Sequence, residues 1–360
     1  MKGSFAGCRV GPLLALLVAI GLASTRMPAQ AIRVELRDSV TGAPVAGALV
    51  SARNVAGASV DGLSGASGTT VLRLPAAGTW ALSIRRIGLR PRIVSDVRVD
   101  GTTTVVLPLV VAGIRQQLQR VRVVADARTC GRAPSGEDRT AALWEQITLA
   151  LRAATLTRGD SLGMPPLRVI ERTRELTAGL RELSSQVTRD GQGVGRLVEA
   201  EDPDSLAVRG YVRADGDGSM LYFAPDEITL LSKAFVETHC FAVPKKDADA
   251  SLAELTFTPV KGRKVGDVKG TAFVDTASGE LRRISFQFDA PRTLIPGDAP
   301  HAGGEVDFRR LRNGQWIVRN WAIRMPLFAG RIDSPRMSIA GYREVGGTIT
   351  PVAERVPSPP

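Results

Sequence analysis

Few residues in this chain have the type and spacing that chemistry demands. His239 and Cys240 are adjacent, and a thiol nucleophile needs an imidazole at hand to generate thiolate, although the two usually meet through the fold. His301 is the other of the two histidines, too few for a multi-histidine zinc site. Asp215-Gly216-Asp217-Gly218-Ser219 has the oxygen-rich opening of a calcium loop. Met220 stands where the sharp turn needs glycine, and no Glu stands at the twelfth position, so the segment reads as a solvated turn. The carboxylate pairs Glu201-Asp202 and Asp226-Glu227 are sequence neighbours and mostly solvated, a poor arrangement for acid and base work. Trp316 and Trp321, five apart, fall on opposite faces of a regular strand, so they form one stacking platform only if a bulge intervenes. There is no His-Glu-x-x-His, no Gly-x-Ser-x-Gly, no phosphate loop and no dinucleotide fingerprint. No catalytic, cofactor-binding or metal residues are therefore predicted, and no cofactor.

The remaining chemistry is that of cysteine, and it depends on compartment. Lys2 and Arg9 precede the uncharged run Gly11 to Ala23, thirteen residues long. At 1.5 Å per residue that run is about 20 Å of helix, too short for a bilayer core of about 30 Å. Pro28 breaks it, and Ala29-Gln30-Ala31 offers a small-x-small cleavage pattern, so residues 1–31 read as a secretory signal peptide. Cleavage removes Cys8 and leaves Cys130 and Cys240, an even count expected to form one disulfide in an oxidising compartment. The expected location is the periplasm, the outer-membrane surface or the extracellular space, with no transmembrane segment in the mature chain. The whole chain carries +11, and the mature part +8 once three signal-peptide cations are gone. The excess is mostly Arg and scattered, without the basic helix or aromatic platforms of a nucleic-acid binder. A surface tolerant of anionic lipid or polysaccharide is the milder inference.

The elements that would position any site are mainly strands. Residues 32–111 alternate apolar and polar positions between turn residues every eight to twelve positions, the pattern of a sandwich of roughly seven short strands. Val34 and Leu36 open it, Gly57 to Gly68 reads as a loop, and Trp80, Leu82 and Ile84 share one inward face. Residues 112–136 read as a linker in which Leu118 to Val124 could be one strand. Residues 137–350 read as a helix followed by an antiparallel β domain, and residues 351–360 as a disordered tail. Glu137 to Leu156 has the 3.6-residue stripe of a helix, with acidic residues in its first turn. Val169 to Glu175 and Ala207 to Val212 read as strands. Asp226 caps a short helix in which Ile228, Leu231 and Phe235 share a face. Five strands then follow as a meander: Leu255 to Phe257, Thr271 to Asp275, Leu281 to Phe288, Glu305 to Leu311 and Gln315 to Met325. Asn313-Gly314 marks a two-residue hairpin.

Two segments carry a resemblance. Asp38-Ser39-Val40-Thr41-Gly42-Ala43-Pro44-Val45-Ala46-Gly47-Ala48-Leu49-Val50 resembles the opening of the carboxypeptidase regulatory-like, transthyretin-like domains. Gly78 to Leu89 resembles their second conserved stretch, with Leu89 in place of the usual aromatic and the usual Asp before Gly68 missing. The resemblance implies an immunoglobulin- or transthyretin-like β-sandwich serving as a non-catalytic accessory module, and the metallopeptidase ligand set that such modules often accompany is absent. The expected function is an exported, non-enzymatic binding or scaffold protein. Its partner is unknown and could be a protein, a glycan or an apolar ligand. One alternative is a carbohydrate-binding module protein; exposed aromatics on the sandwich would decide it, and Trp80, patterned to face the core, is the sole aromatic residue of 32–111. The other is a hydrolase of unrecognised type using His239 or the acidic pairs. An apolar cavity in the C-terminal sheet would favour a carrier, and a filled core a scaffold.

Overall fold

Alternating apolar positions close the N-terminal segment into two facing sheets. The computed structural model describes residues 30–87, 89–101, 103–113, 128–136, 138–159, 165–192, 200–215, 219–244, 249–291, 299–311, 313–329 and 338–352. One sheet joins β1 (Ala31–Asp38), β4 (Thr69–Arg73) and β7 (Thr104–Val111) in the order β4-β1-β7, with β1 and β7 parallel. The other joins β2 (Leu49–Asn54), β3 (Ser59–Leu63), β5 (Gly78–Arg85) and β6 (Arg92–Val99) in the order β3-β2-β5-β6. Ile32, Val34, Leu36, Val50, Leu72, Trp80, Leu82 and Ile84 fill the space between them, each essentially inaccessible. The segment expected as a loop from Gly57 to Gly68 contains β3, because Ser59 to Leu63 pair along β2. Its own composition is that of a turn, and the neighbouring strand overrides it. Of the predicted signal peptide, residues 1–29 lie outside the described residues.

The C-terminal part is one ten-stranded antiparallel sheet. Its strands are β8 (Thr129–Cys130), β9 (Leu167–Thr177), β10 (Glu182–Gln192), β13 (His239–Ala242), β14 (Leu252–Pro259), β15 (Asp267–Asp275), β16 (Leu281–Asp289), β17 (Gly303–Arg310), β18 (Trp316–Ala329) and β19 (Ser338–Pro351). They run in the order β10-β9-β19-β18-β17-β16-β15-β14-β13-β8. A separate hairpin joins β11 (Val212–Ala214) and β12 (Met220–Tyr222). Strand makes up 55% and helix 14% of the described residues, so the chain is mainly β, a sandwich followed by an antiparallel β domain.

Among the described residues four helices lie on one side of this sheet. Helix α1 (Arg139–Gly159) buries Leu143, Ile147, Ala150, Leu151 and Ala154. It starts two residues later than the periodicity indicated, so its first turn holds no acid. Asp138 instead accepts a hydrogen bond from the Ala141 N–H at 2.7 Å, an N-cap's role. The expected strand from Ala207 is α2 (Pro203–Arg209): Asp202 accepts from the N–H groups of Asp204 and Ser205, Pro203 opens the helix and Gly210 ends it. The single short helix after Asp226 is two, α3 (Glu227–Leu231) and α4 (Lys233–Thr238), because Ser232 leaves helical geometry and caps the second. Ile228 is exposed while Phe235 is buried, so they share no face.

On the helix-covered face, aromatic rings lie flat over glycines of the adjacent strand. Phe257 faces Gly270, Phe286 faces Gly304 and Trp321 faces Gly347. A Cβ at those glycines would come within 2.5 to 2.9 Å of the rings. The cleft that remains there, between α3 and the sheet, holds about 40 Å³. Among the described residues that face is closely packed, with side chains where a carrier would hold an apolar ligand.

The five-strand meander lies where the sequence placed it, with β14, β15 and β18 longer by three to five residues and β16 and β17 by one. The 313–314 turn closes wider than two residues: the Leu311 N–H donates to the Gln315 carbonyl, with Gly314 at φ +85°. The linker and tail boundaries move. Thr129 and Cys130 belong to the ten-stranded sheet, and Pro351 ends β19 opposite Leu167. The predicted strand Leu118 to Val124 and residues 353–360 lie outside the described residues.

Candidate functional site

The predicted chemistry at His239 and Cys240 is closed off. β8 and β13 place Cys130 and Cys240 directly opposite each other, and the two are joined as a disulfide, with Cα atoms 3.8 Å apart. Cys240 therefore has no thiol to activate. The His239 ring is fully buried and stacks on Phe235, with centroids 3.9 Å apart. Its Nε2 lies 3.0 Å from the Val268 carbonyl and 3.3 Å from Asp267 Oδ1, and its Nδ1 lies 2.9 Å from the Phe235 carbonyl. Arg263 completes the cluster by donating to Asp267 and to the Ala207 carbonyl. Burial alone would raise the Asp267 pKa. The hydrogen bond and charge of His239, the Val268 N–H and Arg263 together hold it below its ordinary value. This buried cluster ties α2, α4, β13 and β15 together.

The other singled-out residues also resolve into structure. Asp226 spends its carboxylate on the Thr229 N–H and hydroxyl, and Asp202 caps α2. Glu201 pairs with Arg209 and Arg213. The Asp215 N–H donates to the Ser219 carbonyl, closing the β11–β12 turn, while residues 216–218 lie outside the described residues. No group of three or more metal-ligating side chains occurs among the described residues. Trp316 and Trp321 do share a face, because Arg319 is an extra residue in β18 between the Phe308–Val318 and Asp307–Asn320 pairs. Both indoles are buried and offer no platform. Trp80, the one aromatic residue of the sandwich, is fully buried as well.

What sequence inspection did not assemble lies on the opposite face of the ten-stranded sheet. Directly opposed residues on adjacent strands share a face, so the register composes rows across the sheet. One row reads Arg174, Glu344, Arg324, Gly303, Gln287, Lys269. The next reads Arg172, Gly346, Ala322, Glu305, Ser285, Thr271, Thr256. Small residues in the second row and Gly303 in the first leave a groove of about 520 Å³ over β14 to β18, roofed at one end by Pro300 and His301. At about 4.8 Å between strands it runs about 20 Å across the sheet. Its lining mixes hydroxyl, amide and charged groups (Thr256, Thr258, Thr271, Ser285, Gln287 and Lys269) with the apolar Phe257, Phe286, Pro300 and Ala302. Beyond Arg324 and Glu344 a second hollow of about 320 Å³ continues along the same face to Arg172 and Arg174.

Electrostatics organise one wall. Glu344 is 2% exposed and accepts from Arg174 at one oxygen and from Arg324 Nε, at 2.6 Å, at the other. Lys269 pairs with Asp289 at 3.1 Å, and Arg283 pairs with Asp307 and Glu305 at 2.7 and 3.5 Å. Exposed His301 stands at the rim, edge-on to Tyr342 at 5.7 Å.

No family model matches the sequence, and no curated protein matches it. Solved structures with partial likeness include a chain of a type II cohesin–X-dockerin complex from Acetivibrio cellulolyticus, at 18% identity and TM-score 0.20 over 23% of this chain. This chain spans 58% of that one's length. Another is a candidate carbohydrate binding protein from Bacteroides uniformis, at 10% identity and TM-score 0.22, covering 72% of this chain and 96% of that one. At scores this low the likeness identifies neither a common fold nor a function. No helix among the described residues is long and apolar enough to cross a membrane.

Proposed function

We propose that this chain is an exported, non-enzymatic binding protein that holds a polysaccharide in the groove across β14 to β18, with the N-terminal sandwich as a regulatory-like accessory module. One observation carries the reading. The apolar face of the sheet is filled, while the opposite face keeps an open trench lined by Thr256, Thr258, Thr271, Ser285 and Gln287. Hydroxyl and amide groups at successive positions match a polyhydroxylated chain, and the chain's net positive charge favours an acidic one. An apolar ligand would leave these polar groups unsatisfied. A peptide adding to a sheet edge would not use a face at all.

The test is calorimetric titration of the exported protein with oligogalacturonate, alongside Ser285→Trp, which fills the middle of the groove. The expected result is binding by the natural protein and loss of about tenfold or more in the variant, at unchanged melting temperature. Equal binding by both would contradict the reading, and so would no binding of either oligogalacturonate or a sulfated dextran oligomer.

A further inference from the structure

The groove wall contains a guanidinium held in place before any ligand arrives. We propose that Arg324 makes the groove selective for polysaccharides bearing anionic groups, carboxylate or sulfate, over neutral chains of the same backbone; this rests on the groove being the ligand site. Glu344, buried from solvent, accepts from Arg324 Nε and orients the fork, while Arg174 takes the other oxygen. Two guanidinium groups thus share one carboxylate, and Arg174 is also paired with Glu182 at 3.4 Å, so Arg324 is the fork on this wall whose far end faces the groove. Among the described residues nothing else bonds Arg324, so its two terminal nitrogens remain available to a ligand.

Next to Arg324 in the row stands Gly303, and beyond it Gln287. The gap is enforced, because a Cβ at position 303 would sit 2.1 Å from the Phe286 carbonyl oxygen and Gly303 has φ +150°. An anionic substituent can therefore approach the guanidinium between Arg324 and Gln287, with Lys269 one strand further along. A planar fork matched to two oxygens is the arrangement in which arginine discriminates best.

The experiment compares oligogalacturonate with its fully methyl-esterified form, and a sulfated dextran oligomer with unsulfated dextran. The protein is used natural, as Arg324→Gln, and as the double variant Arg324→Gln/Glu344→Gln. The double variant removes the buried carboxylate with Arg324, while the partly exposed Arg174 keeps Glu182 at 3.4 Å, so no buried charge is left unpaired if the single variant folds poorly. The natural protein should prefer the anionic member of at least one pair by about tenfold or more, and the pair so preferred shows which anion is taken. In whichever variant folds, that preference should fall to near unity while the weak binding of the neutral chain persists. Equal binding of neutral and anionic chains by the natural protein would overturn the selectivity and leave the groove standing. A preference that survives in the double variant would assign it to other residues and likewise overturn the proposal. Absence of binding by all chains would overturn the groove itself.

Discussion

At the scale of single residues, the same side-chain types do opposite things in two places. His239, Asp267 and Arg263 are drawn inward and consumed by backbone carbonyls and by each other. Arg324 and Glu344 are drawn to a groove wall, where Glu344 accepts at both oxygens and Arg324 keeps its terminal donors free. The inner cluster has a pH consequence. Asp267 is held below its ordinary value of 3.8, so the unfolded chain takes up the proton more readily than the folded one. Its contribution is therefore fully present above that value and is lost as pH falls through the depressed folded value. Chemical denaturation from neutral to acid pH should show this loss in the natural protein. Asp267→Asn should be destabilised by about 3–5 kcal/mol at neutral pH, because His239 and Arg263 lose a buried partner, and its acid-dependent loss should be smaller. An unchanged neutral stability would contradict the role assigned to the cluster. Of these residues, His239-Cys240 attracted notice in the sequence only because adjacency is visible there. Glu344 and Arg324, twenty positions apart, meet through the pairing of β18 and β19, which no spacing rule anticipates.

At the scale of elements, the legible features were those written locally. The helix stripe of α1, the Trp80 face of β5 and the alternation of the meander all follow from side-chain period. The errors lie where local chemistry was present but outweighed or misread. Asp202-Pro203 and Gly210 spell a helix start and stop, yet the apolar residues between them suggested a strand. β10 and β19 lack a legible strand pattern: β10 is exposed along nearly its whole length, with few apolar positions to alternate, and β19 carries four glycine or proline residues. The disulfide is the element-scale link expected from cysteine count, and it anchors β8 at the sheet edge through β13. It closes a separation of 110 residues, for which chain entropy gives a contribution of about 4–5 kcal/mol at most. Reduction under native conditions should lower the denaturation free energy by up to that amount, and release of β8 should appear as faster amide exchange at 129–130. Unchanged stability on reduction would mean that the bond constrains little.

At the scale of the whole molecule, the sandwich meets the β domain through facing turns and through β3 against α1. Gly47, in the stretch that resembles the regulatory-like family, lies back to back with Gly314 of the β17–β18 turn. A Cβ on either would fall 2.5 Å or less from backbone of the other, and both have positive φ. Leu63 and Ile87 of the sandwich pack onto the larger core, and Arg85 reaches Glu145 of α1 at 3.4 Å. The two units are thus docked with the groove on the sheet face opposite the helices. The most direct measurement of the central claim is hydrogen exchange of the full chain with and without saturating oligogalacturonate. Protection confined to β14–β18 and the 299–303 segment, with the sandwich unaffected, is the predicted result. Protection centred on residues 31–111, or none anywhere despite binding, would contradict it.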